Sequence, residues 1–475
     1  MVESKLVELV VAGSSPVDHP TFIYDFRFWI YDLKNSLRPS KLHQVKMPNP
    51  WMILPFVLLL GAMALAPLFA PGWWRRHYAK VALGLGAVTL GYYLLGLHAN
   101  EHVLDTAHEY ISFIALVGSL FIVSGGIHIG VKGEATPLAN VIFLLVGAIV
   151  ANVLGTTGAA MLLIRPWIRL NQSRVSAHHI VFFIFIVANV GGCLTPIGDP
   201  PLFLGYLQGV PFWWVAKNCW PMWALAVGLL LAMFYVMDKI HFVRGPCENC
   251  SVEPPAQPIG AQRQHSRETW RFDGRANLFF LAVILGAVFV ERPVFLREAL
   301  MLAATVGSYF TTQKSVHEAN HFNFHPIQEV AVLFAGIFAT MMPALDWLGL
   351  HAKELLGANP SPGIFFWGTG GLSAVLDNAP TYLGFLSALQ GTTGTTDIAG
   401  LLGQNAGASR VLAISIGAVF FGAATYIGNG PNFMVKAIAD RERIPMPGFL
   451  GFVFKFTLPF LLPALITIWL LLFLS

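Results

Sequence analysis

The sequence predicts an all-α polytopic membrane protein that is built as an inverted repeat, with two re-entrant hairpins, two broken helices and about 11–13 spans. Three observations lead to this fold class. The chain is strongly apolar, its apolar segments are long enough to cross a bilayer, and two of them, 178–207 and 409–438, are interrupted by glycine and proline. A helix that breaks at membrane depth must be buried in protein or must line a polar cavity. We therefore expect the functional site at the breaks.

Composition places the chain among integral membrane proteins. Of its 475 residues, 55% are hydrophobic and only 11% are charged, and the mean hydropathy is +0.63. An average soluble domain has about 25% charged residues. The net charge of +4 carries little information, because in such proteins the placement of Lys and Arg matters more than their sum. We expect the lipid bilayer as a partner and no nucleic acid.

The length of the apolar segments indicates which of them can cross a membrane. A hydrocarbon core of about 30 Å is crossed by about 20 helical residues. The candidate segments in chain order are 51–70, 79–97, 109–130, 138–153, 158–164, 178–207, 212–237, 276–290, 298–312, 329–345, 362–388, 409–438 and 449–474.

Repeated patterns divide these segments into two halves. Three pairs of positions recur in one order at nearly one offset. Residues 198–203 match 428–433 at an offset of 230, and 153–159 match 375–381 at an offset of 222. Glu109 matches Glu329 at an offset of 220. We predict a first half over 51–237, a cytoplasmic linker over 238–275 and an inverted second half over 276–475.

Basic residues in the short loops set the orientation of the spans. Lys132 and Arg165 both belong on the cytoplasmic side, which is possible only if 138–164 enters from the cytoplasm and turns back. This segment is therefore predicted to be a re-entrant hairpin that opens inward. The flanks of 362–388 are poor in basic residues, so the corresponding hairpin of the second half is predicted to open outward.

Residues 1–46 differ from the rest of the chain. They are polar, contain several Lys and Arg residues, and lack the apolar core of a signal peptide. Their positive charge also opposes the orientation predicted for the first span. We predict that they are a non-native or disordered extension and that the functional start is Met47.

Polar side chains concentrate at the hairpin turns and helix breaks. Asp199 and Asp377 are the two carboxylates there, and a carboxylate at membrane depth is costly unless it has a function. The neutral residues expected beside them are Asn152, Thr156, Thr157, Asn189, Thr195, Asn378, Thr381, Thr425, Asn429 and Asn432. Their oxygens and the carbonyl groups freed by the breaks suit a hard cation such as sodium. The alternative is that they only hydrogen-bond the freed backbone.

A proton and a sodium ion compete for one buried carboxylate, and this competition is the physical basis of exchange between the two ions. We predict that Asp199 and Asp377 titrate. We further predict that Na⁺ binds at Asp199, Asp377, Thr157 and Asn378. No resident cofactor is expected, because Na⁺ and H⁺ are the transported ions.

A competing motif, His317-Glu318-Ala-Asn-His321, matches the H-E-x-x-H zinc pattern of metalloproteases. An intramembrane zinc protease would also be polytopic, and Asp377 would be its third ligand. The motif lies in a polar stretch close to Pro326, however, and the internal repeat gives it no role. We therefore prefer a protein that is not an enzyme.

The four cysteines give no disulfide framework. Cys247 and Cys250 have the spacing of half a zinc site or of a redox pair, but no second pair follows them. We expect two unpaired thiols in a polar loop.

Three motifs resemble those of the NhaD-type sodium/proton antiporters. They are Gly125-Gly-Ile-His128, the segment 152–165 and the segment 189–199. These antiporters belong to the ion transporter superfamily, together with arsenite pumps and sodium-coupled dicarboxylate carriers. The resemblance covers 51–475 and implies an inverted repeat with two hairpins. It also implies a scaffold, a transport domain that moves as an elevator, and a homodimer.

The hairpin tips depart from one branch of that superfamily. Its carboxylate carriers have Ser-Asn-Thr motifs, whereas this chain has Gly155-Thr-Thr and Asp377-Asn-Ala-Pro. Two aspartates suit a cation better than an anion. We therefore predict a secondary antiporter of the bacterial inner membrane that exchanges Na⁺ or Li⁺ for H⁺. The alternative is a sodium-coupled carrier of a dicarboxylate or oxyanion, for which only helix N-termini and Lys436 offer positive charge.

Overall fold

In the computed structural model, nine helices among the described residues are long and apolar enough to cross a membrane. The predicted class, an all-α polytopic membrane protein, is confirmed. The predicted extension 1–46 lies outside the described residues, as do Met47, Cys247 and Cys250. The described residues are 48–130, 136–244, 271–290 and 292–473.

The first half consists of helices and one short strand. After a 3₁₀ turn at Pro50–Ile53, the elements are α1 (Leu54–Phe69), α2 (Pro71–Gly91, continued by a π-helical turn Tyr92–Gly96), α3 (Asn100–Gly125), β1 (His128–Gly130), α4 (Pro137–Leu170), α5 (Ala177–Ile186), a 3₁₀ turn (Val190–Leu194), α6 (Pro200–Leu207) and α7 (Phe212–Arg244).

The second half follows the same plan. Its elements are β2 (Arg271–Asp273), α8 (Ala276–Ala287), α9 (Leu296–Thr311), α10 (Lys314–Ala319), α11 (His325–Leu356), α12 (Pro362–Ser373), α13 (Asn378–Thr393), α14 (Ile398–Leu402), α15 (Asn405–Phe421), a 3₁₀ turn (Gly422–Ala424), α16 (Gly430–Arg441), α17 (Phe449–Phe452), a π-helical segment (Val453–Leu461) and α18 (Leu462–Leu472).

The predicted linker, 238–275, begins too early, but its last residue agrees with the start of the next helix. Helix α7 continues to Arg244, because Asp238 is buried and hydrogen-bonded rather than solvated. At the other end, β2 pairs antiparallel with β1, and α8 begins directly afterwards at Ala276. Strand β2, directly before the second half, therefore lies next to the end of α3.

Hairpin 1 is the helix α4, which reverses direction at Gly155. This glycine has φ 73° and ψ 156°, which lies outside the helical region. Glycine adopts such a positive φ more readily than other residues because it has no Cβ atom. Asn140 and Asn171 exchange hydrogen bonds of 2.7 and 3.0 Å. In a straight helix these two residues would be about 46 Å apart. The segment 138–164 thus forms a helical hairpin, whose second arm continues to Leu170. That it enters the membrane from the cytoplasm stays a prediction.

Hairpin 2 is formed by α12 and α13. The two helices run antiparallel, with the Phe365 and Phe385 rings 6.4 Å apart. Between Ser373 and Asn378 the chain turns, and Asp377 Oδ1 accepts a hydrogen bond of 3.1 Å from Ala379 N. This capping contact satisfies one free backbone donor at the start of α13.

The two broken helices are α5 with α6 and α15 with α16. Protein buries 89% of the window Ala177–Leu194 and 78% of Asn405–Ala424, against 22% of the outer window Pro50–Pro67. Backbone groups freed at the breaks are therefore shielded from lipid. This shielding is necessary because non-helical backbone inside a membrane cannot face lipid.

Matching contacts in the two halves show the internal repeat. Thr195 Oγ1 donates to Asn152 O at 2.6 Å, and Thr425 Oγ1 donates to Ala374 O at 2.6 Å. The two threonines are 230 residues apart and the two acceptors 222, which are the offsets found in the sequence. Each hydrogen bond joins a hairpin to the broken helix of its own half.

The two hairpins enter the protein from opposite ends. Asn320 Nδ2 donates to Gly125 O at 2.9 Å, so the chain before α11 lies at the end of α3 from which hairpin 1 starts. Helix α11 has 32 residues and spans about 48 Å. It carries the chain to the opposite end, where α12 opens hairpin 2. The halves are therefore inverted.

Helices α2 and α11 pack closely through small residues. A Cβ atom added to Gly336 would lie 2.8 Å from Ala82 O, and one added to Gly86 would lie 3.3 Å from Ala339 Cβ. Small residues let membrane helices approach closely. Helix α11 also packs against α3 and against α13 of hairpin 2.

Candidate ion site

Asp199 lies at the break of the first broken helix, immediately before α6. Its backbone is extended, with φ −143° and ψ 142°, because a residue that precedes proline is excluded from the helical region. Pro200 and Pro201 begin α6 without backbone N–H groups of their own. The Asp199 side chain is 1% exposed. The sequence thus fixes a buried carboxylate at the start of a helix.

Three side chains donate hydrogen bonds to this carboxylate. Thr156 Oγ1 and Asn429 Nδ2 reach Asp199 Oδ1 at 2.7 and 3.1 Å. Asn378 Nδ2 reaches Asp199 Oδ2 at 2.7 Å. The donors come from the tip of hairpin 1, the second broken helix and the tip of hairpin 2. All four regions that the sequence singled out therefore meet at one residue.

The three donors to Asp199 are neutral. Among the residues that the structure describes, no Lys or Arg side chain is hydrogen-bonded to or ion-paired with this carboxylate. A buried carboxylate without a countercharge is costly, and hydrogen bonds compensate only part of that cost. A proton or a cation would supply the missing charge.

A second feature of the site is an unsatisfied acceptor. Asn378 is fully buried, and its Oδ1 atom has no hydrogen-bond partner. Buried polar atoms nearly always have partners, so an exception needs an explanation. A cation near Asp199 would satisfy this carbonyl oxygen.

Next to Asp199 is a cavity of about 20 Å³. It is lined by Thr156 and Thr157 of hairpin 1, by the break before α6, and by Leu120 of α3. This volume holds one particle the size of a water molecule. The cavity is therefore large enough for a small cation next to Asp199.

Comparison with known proteins identifies the family. A family model described as "Putative citrate transport" matches residues 44–473. The chain belongs to this family. As a member of the citrate-transport family it is a multi-pass membrane transporter, which confirms the coarser part of the prediction. The resemblance to NhaD-type antiporters remains a prediction. No curated protein matches the chain.

Asp377, the second predicted carboxylate of this transporter, has a different environment. It is half-buried, caps α13 through Ala379 N, and makes no hydrogen bond to Asp199 among the described contacts. The two carboxylates are nevertheless close enough to interact electrostatically. Thr381 Oγ1 donates to Asp377 O at 2.9 Å, which is a contact within the helix. Titration of Asp377 therefore stays a prediction.

Five other predicted residues bind groups around the breaks rather than Asp199. Asn152 Nδ2 donates to Gly191 O at 2.7 Å, and its Oδ1 accepts from Leu194 N at 2.7 Å. Asn432 Nδ2 donates to Gly422 O at 2.8 Å. Their contacts match the alternative that the sequence left open. The five are Asn152, Asn189, Thr195, Thr425 and Asn432.

Lys436, the only side chain proposed for an anion pocket, is engaged elsewhere. Its Nζ atom lies 2.6 Å from Asp440 Oδ2 and 5.5 Å from the centre of the Tyr426 ring. It makes no described contact with Asp199. Lys436 therefore does not belong to the hydrogen-bonded group around Asp199.

The H-E-x-x-H motif does not form the expected zinc site. Helix α10 ends at Ala319, so His317 and His321 do not lie on successive turns of one helix, and His321 has a φ of 45°. The one group of His, Cys, Asp and Glu found close enough to hold a metal, in the part of the chain that the structure describes, lies elsewhere. Asp377 is not a third ligand.

Sequence reasoning missed that other group. It consists of His178 and His179 at the start of α5, Asp238 near the end of α7, and Arg174 beside them. The signal was present in the sequence, because ionisable residues inside apolar segments indicate functional sites. His178 and His179 begin the segment 178–207, but Asp238 was assigned to the linker 238–275, so the contact between them was not predicted.

Proposed function

We propose that the protein is a secondary antiporter of the bacterial inner membrane that exchanges Na⁺ or Li⁺ for H⁺. Asp199 binds the proton and the cation in turn. The observation that supports this most strongly is a buried carboxylate whose described partners are all neutral. Because the site lacks one positive charge, it accommodates one such ion at a time, and the two ions compete.

The neighbouring residues have distinct parts in this proposal. Thr156 and Asn429 hold the Asp199 carboxylate by hydrogen bonds in both states. When the cation is bound, Asn378 Oδ1 joins Asp199 as a hard oxygen ligand. Thr157 and Asp377 are the further ligands that we propose. An empty, charged site is costly to move through the bilayer, so the loaded forms move more readily.

The test uses proteoliposomes with a preset proton gradient and a fluorescent pH indicator. Na⁺, Li⁺, K⁺ and citrate are added separately to wild type, Asp199→Asn and Asp440→Asn. Asp440 is half-exposed and pairs with Lys436, so its variant makes the same chemical change away from the site. We expect Na⁺ and Li⁺ to collapse the gradient with wild type and Asp440→Asn. Asp199→Asn should match empty vesicles.

Two results would contradict the proposal. The first is Na⁺-driven collapse of the gradient that survives Asp199→Asn. The second is failure of Na⁺ to affect the gradient with any variant that is folded and reconstituted.

A second candidate function is sodium-coupled transport of citrate or a related carboxylate. The family description favours it, and so do the N-termini of α6, α13 and α16, which lie around the site and attract anions. The small cavity and the engagement of Lys436 weigh against it. Uptake of labelled citrate that requires Na⁺, without collapse of the proton gradient, would establish this function instead.

A further inference from the structure

A buried group of ionisable residues lies at the base of hairpin 1. His178 and His179 begin α5 and are 3% and 0% exposed, and Asp238 of α7 is fully buried beside them. His178 Nε2 lies 3.7 Å and His179 Nε2 3.2 Å from Asp238 Oδ1. Neither nitrogen has a hydrogen-bond partner. Two unpartnered, buried ring nitrogens therefore face one carboxylate oxygen.

The opposite ring nitrogens restrict where the protons can be. Ser176 Oγ lies 2.6 Å from His178 Nδ1 and 3.3 Å from His179 Nδ1. A hydroxyl group donates only one proton, so at least one Nδ1 atom must itself carry hydrogen and donate to Ser176. In a neutral imidazole this leaves Nε2 with a lone pair close to Asp238 Oδ1. That arrangement is repulsive unless a positive charge lies between the two atoms.

We propose that His178, His179 and Asp238 bind one divalent transition metal, with Zn²⁺ as the best match. The three ligand atoms all lie within 4.8 Å of one another. In a tetrahedral zinc site, with bonds of about 2.0–2.2 Å, ligand atoms are about 3.3 Å apart. Two imidazoles and one carboxylate leave a fourth position for water. Contacts of Ser176 with the far ring nitrogens match the outer hydrogen bonds that orient metal-binding histidines.

Arg174 and Asn140 hold the carboxylate from the other side. Asn140 Nδ2 donates to Asp238 Oδ2 at 2.9 Å, and Arg174 donates to both carboxylate oxygens. An oxygen of a carboxylate has two lone pairs, so Oδ1 can keep the guanidinium contact and bind a metal. The guanidinium charge repels a divalent ion. We therefore expect weaker affinity than that of a site made of cysteines.

The position of this site indicates what the metal would do. Asn140 lies in the first arm of hairpin 1 and Arg174 follows the second arm, while the histidines belong to α5 and Asp238 to α7. A bound ion would join α5 to α7, and the contacts of Asp238 with Asn140 and Arg174 would connect this pair to the base of hairpin 1. Its role would be to stabilise the structure rather than to be transported.

The experiment uses full-length protein purified in detergent through a tag without histidine. After treatment with a chelator, it is equilibrated with Zn²⁺ or Co²⁺, and the bound metal is measured by mass spectrometry. We expect about one Zn²⁺ per chain and a visible Co²⁺ spectrum of a tetrahedral site. His178→Gln combined with His179→Gln should abolish both signals. Ser176→Ala should weaken binding by about 10–100-fold, because it removes only an outer hydrogen bond.

His317→Gln combined with His321→Gln is the matched control, since it removes the H-E-x-x-H histidines and should leave the metal bound. Loss of metal in that variant would overturn the proposal. Wild type that binds no more Zn²⁺ than the His178/His179 variant would do the same, because a proton on one histidine would then supply the charge. If the His178/His179 variant does not fold, a wild-type Co²⁺ spectrum without a tetrahedral signature decides against the proposal.

Discussion

Asp199 and Asn429 occupy equivalent positions in the two halves, but only Asp199 has a charge. Both are extended residues directly before a helix, with φ of −143° and −153°. Asn429 Nδ2 donates to Asp199 Oδ1 at 3.1 Å, so the two equivalent residues touch each other. The repeat thus gives one site with one carboxylate and a neutral partner, rather than two separate sites.

Thr156→Val, which removes one hydrogen bond to Asp199, should slow Na⁺-induced proton movement about 10–100-fold. The change removes a hydrogen bond to a charged group, which is worth about 1.5–3 kcal/mol, and preserves the shape of the side chain. Initial rates in proteoliposomes measure the effect. Thr467→Val is the control, because its hydroxyl only bonds Pro463 O within α18. Equal rates for the two variants would exclude a role for Thr156 at Asp199.

A related prediction concerns the amides that hold the breaks. Asn432→Ala should lower the free energy of unfolding by at least about 1–3 kcal/mol, since it leaves buried groups without partners. Those groups include one N–H of Asn189 Nδ2, which donates to Asn432 Oδ1 at 2.7 Å, and the carbonyl of Gly422. The other N–H of Asn189 Nδ2 keeps its bond to Ile184 O. Thermal unfolding in detergent measures the loss. An unchanged midpoint would mean that these contacts contribute little.

Individual residues could be predicted from the sequence only in part. Asp199 was identifiable because glycine and proline surround a carboxylate in an apolar segment. The sequence did not indicate which amides contact Asp199, as Asn378 does, and which bond backbone carbonyl groups, as Asn152 bonds Gly191 O. That division depends on which carbonyl groups the breaks leave free, and the sequence does not specify them.

At the scale of elements, both breaks contain the same close approach of two glycines. A Cβ atom on Gly198 would lie 2.0 Å from Gly192 O, and one on Gly428 would lie 2.6 Å from Gly422 O. No other residue type fits there without movement of the backbone. The glycines at these positions therefore determine the geometry that brings Asp199 and Asn429 together.

Gly428→Ala should accordingly destabilise the protein by about 1–3 kcal/mol, the usual cost of overpacking. Gly430→Ala is a closely matched control two residues later, because a Cβ atom there would meet nothing within 4 Å. It should change the free energy of unfolding by about 0.5 kcal/mol or less. Thermal unfolding of both variants in one detergent makes the comparison. Similar losses in the two would refute the packing argument.

The elements themselves were largely predictable, because glycine and proline mark the turns of both hairpins and both breaks. The end of α7 was not. Asp238 and Lys239 were interpreted as the start of a solvated linker, whereas Asp238 is buried against Asn140 and Arg174. Local polarity cannot distinguish a solvated carboxylate from one paired across 64 residues of sequence.

At the scale of the whole molecule, the inverted arrangement predicts that the bases of the hairpins face opposite sides of the membrane. Ser173 and Ala358 are exposed residues at these two bases. Cysteines introduced there, after replacement of the native cysteines by serine, should react with an impermeant thiol reagent from opposite sides of oriented vesicles. Labelling of both from one side would contradict the inverted fold.

The meeting of both halves at Asp199 also has a consequence for biosynthesis. The bonds from Asn378 and Asn429 span 179 and 230 residues, whereas the bond from Thr156 spans 43. While the ribosome is still making the second half, Asp199 has only its nearest partner. A first half released alone would carry an incompletely solvated carboxylate in the bilayer. The two repeats therefore cannot complete the site as independent units, and a chain that ends between residues 199 and 378 lacks two of the three hydrogen-bond donors of Asp199.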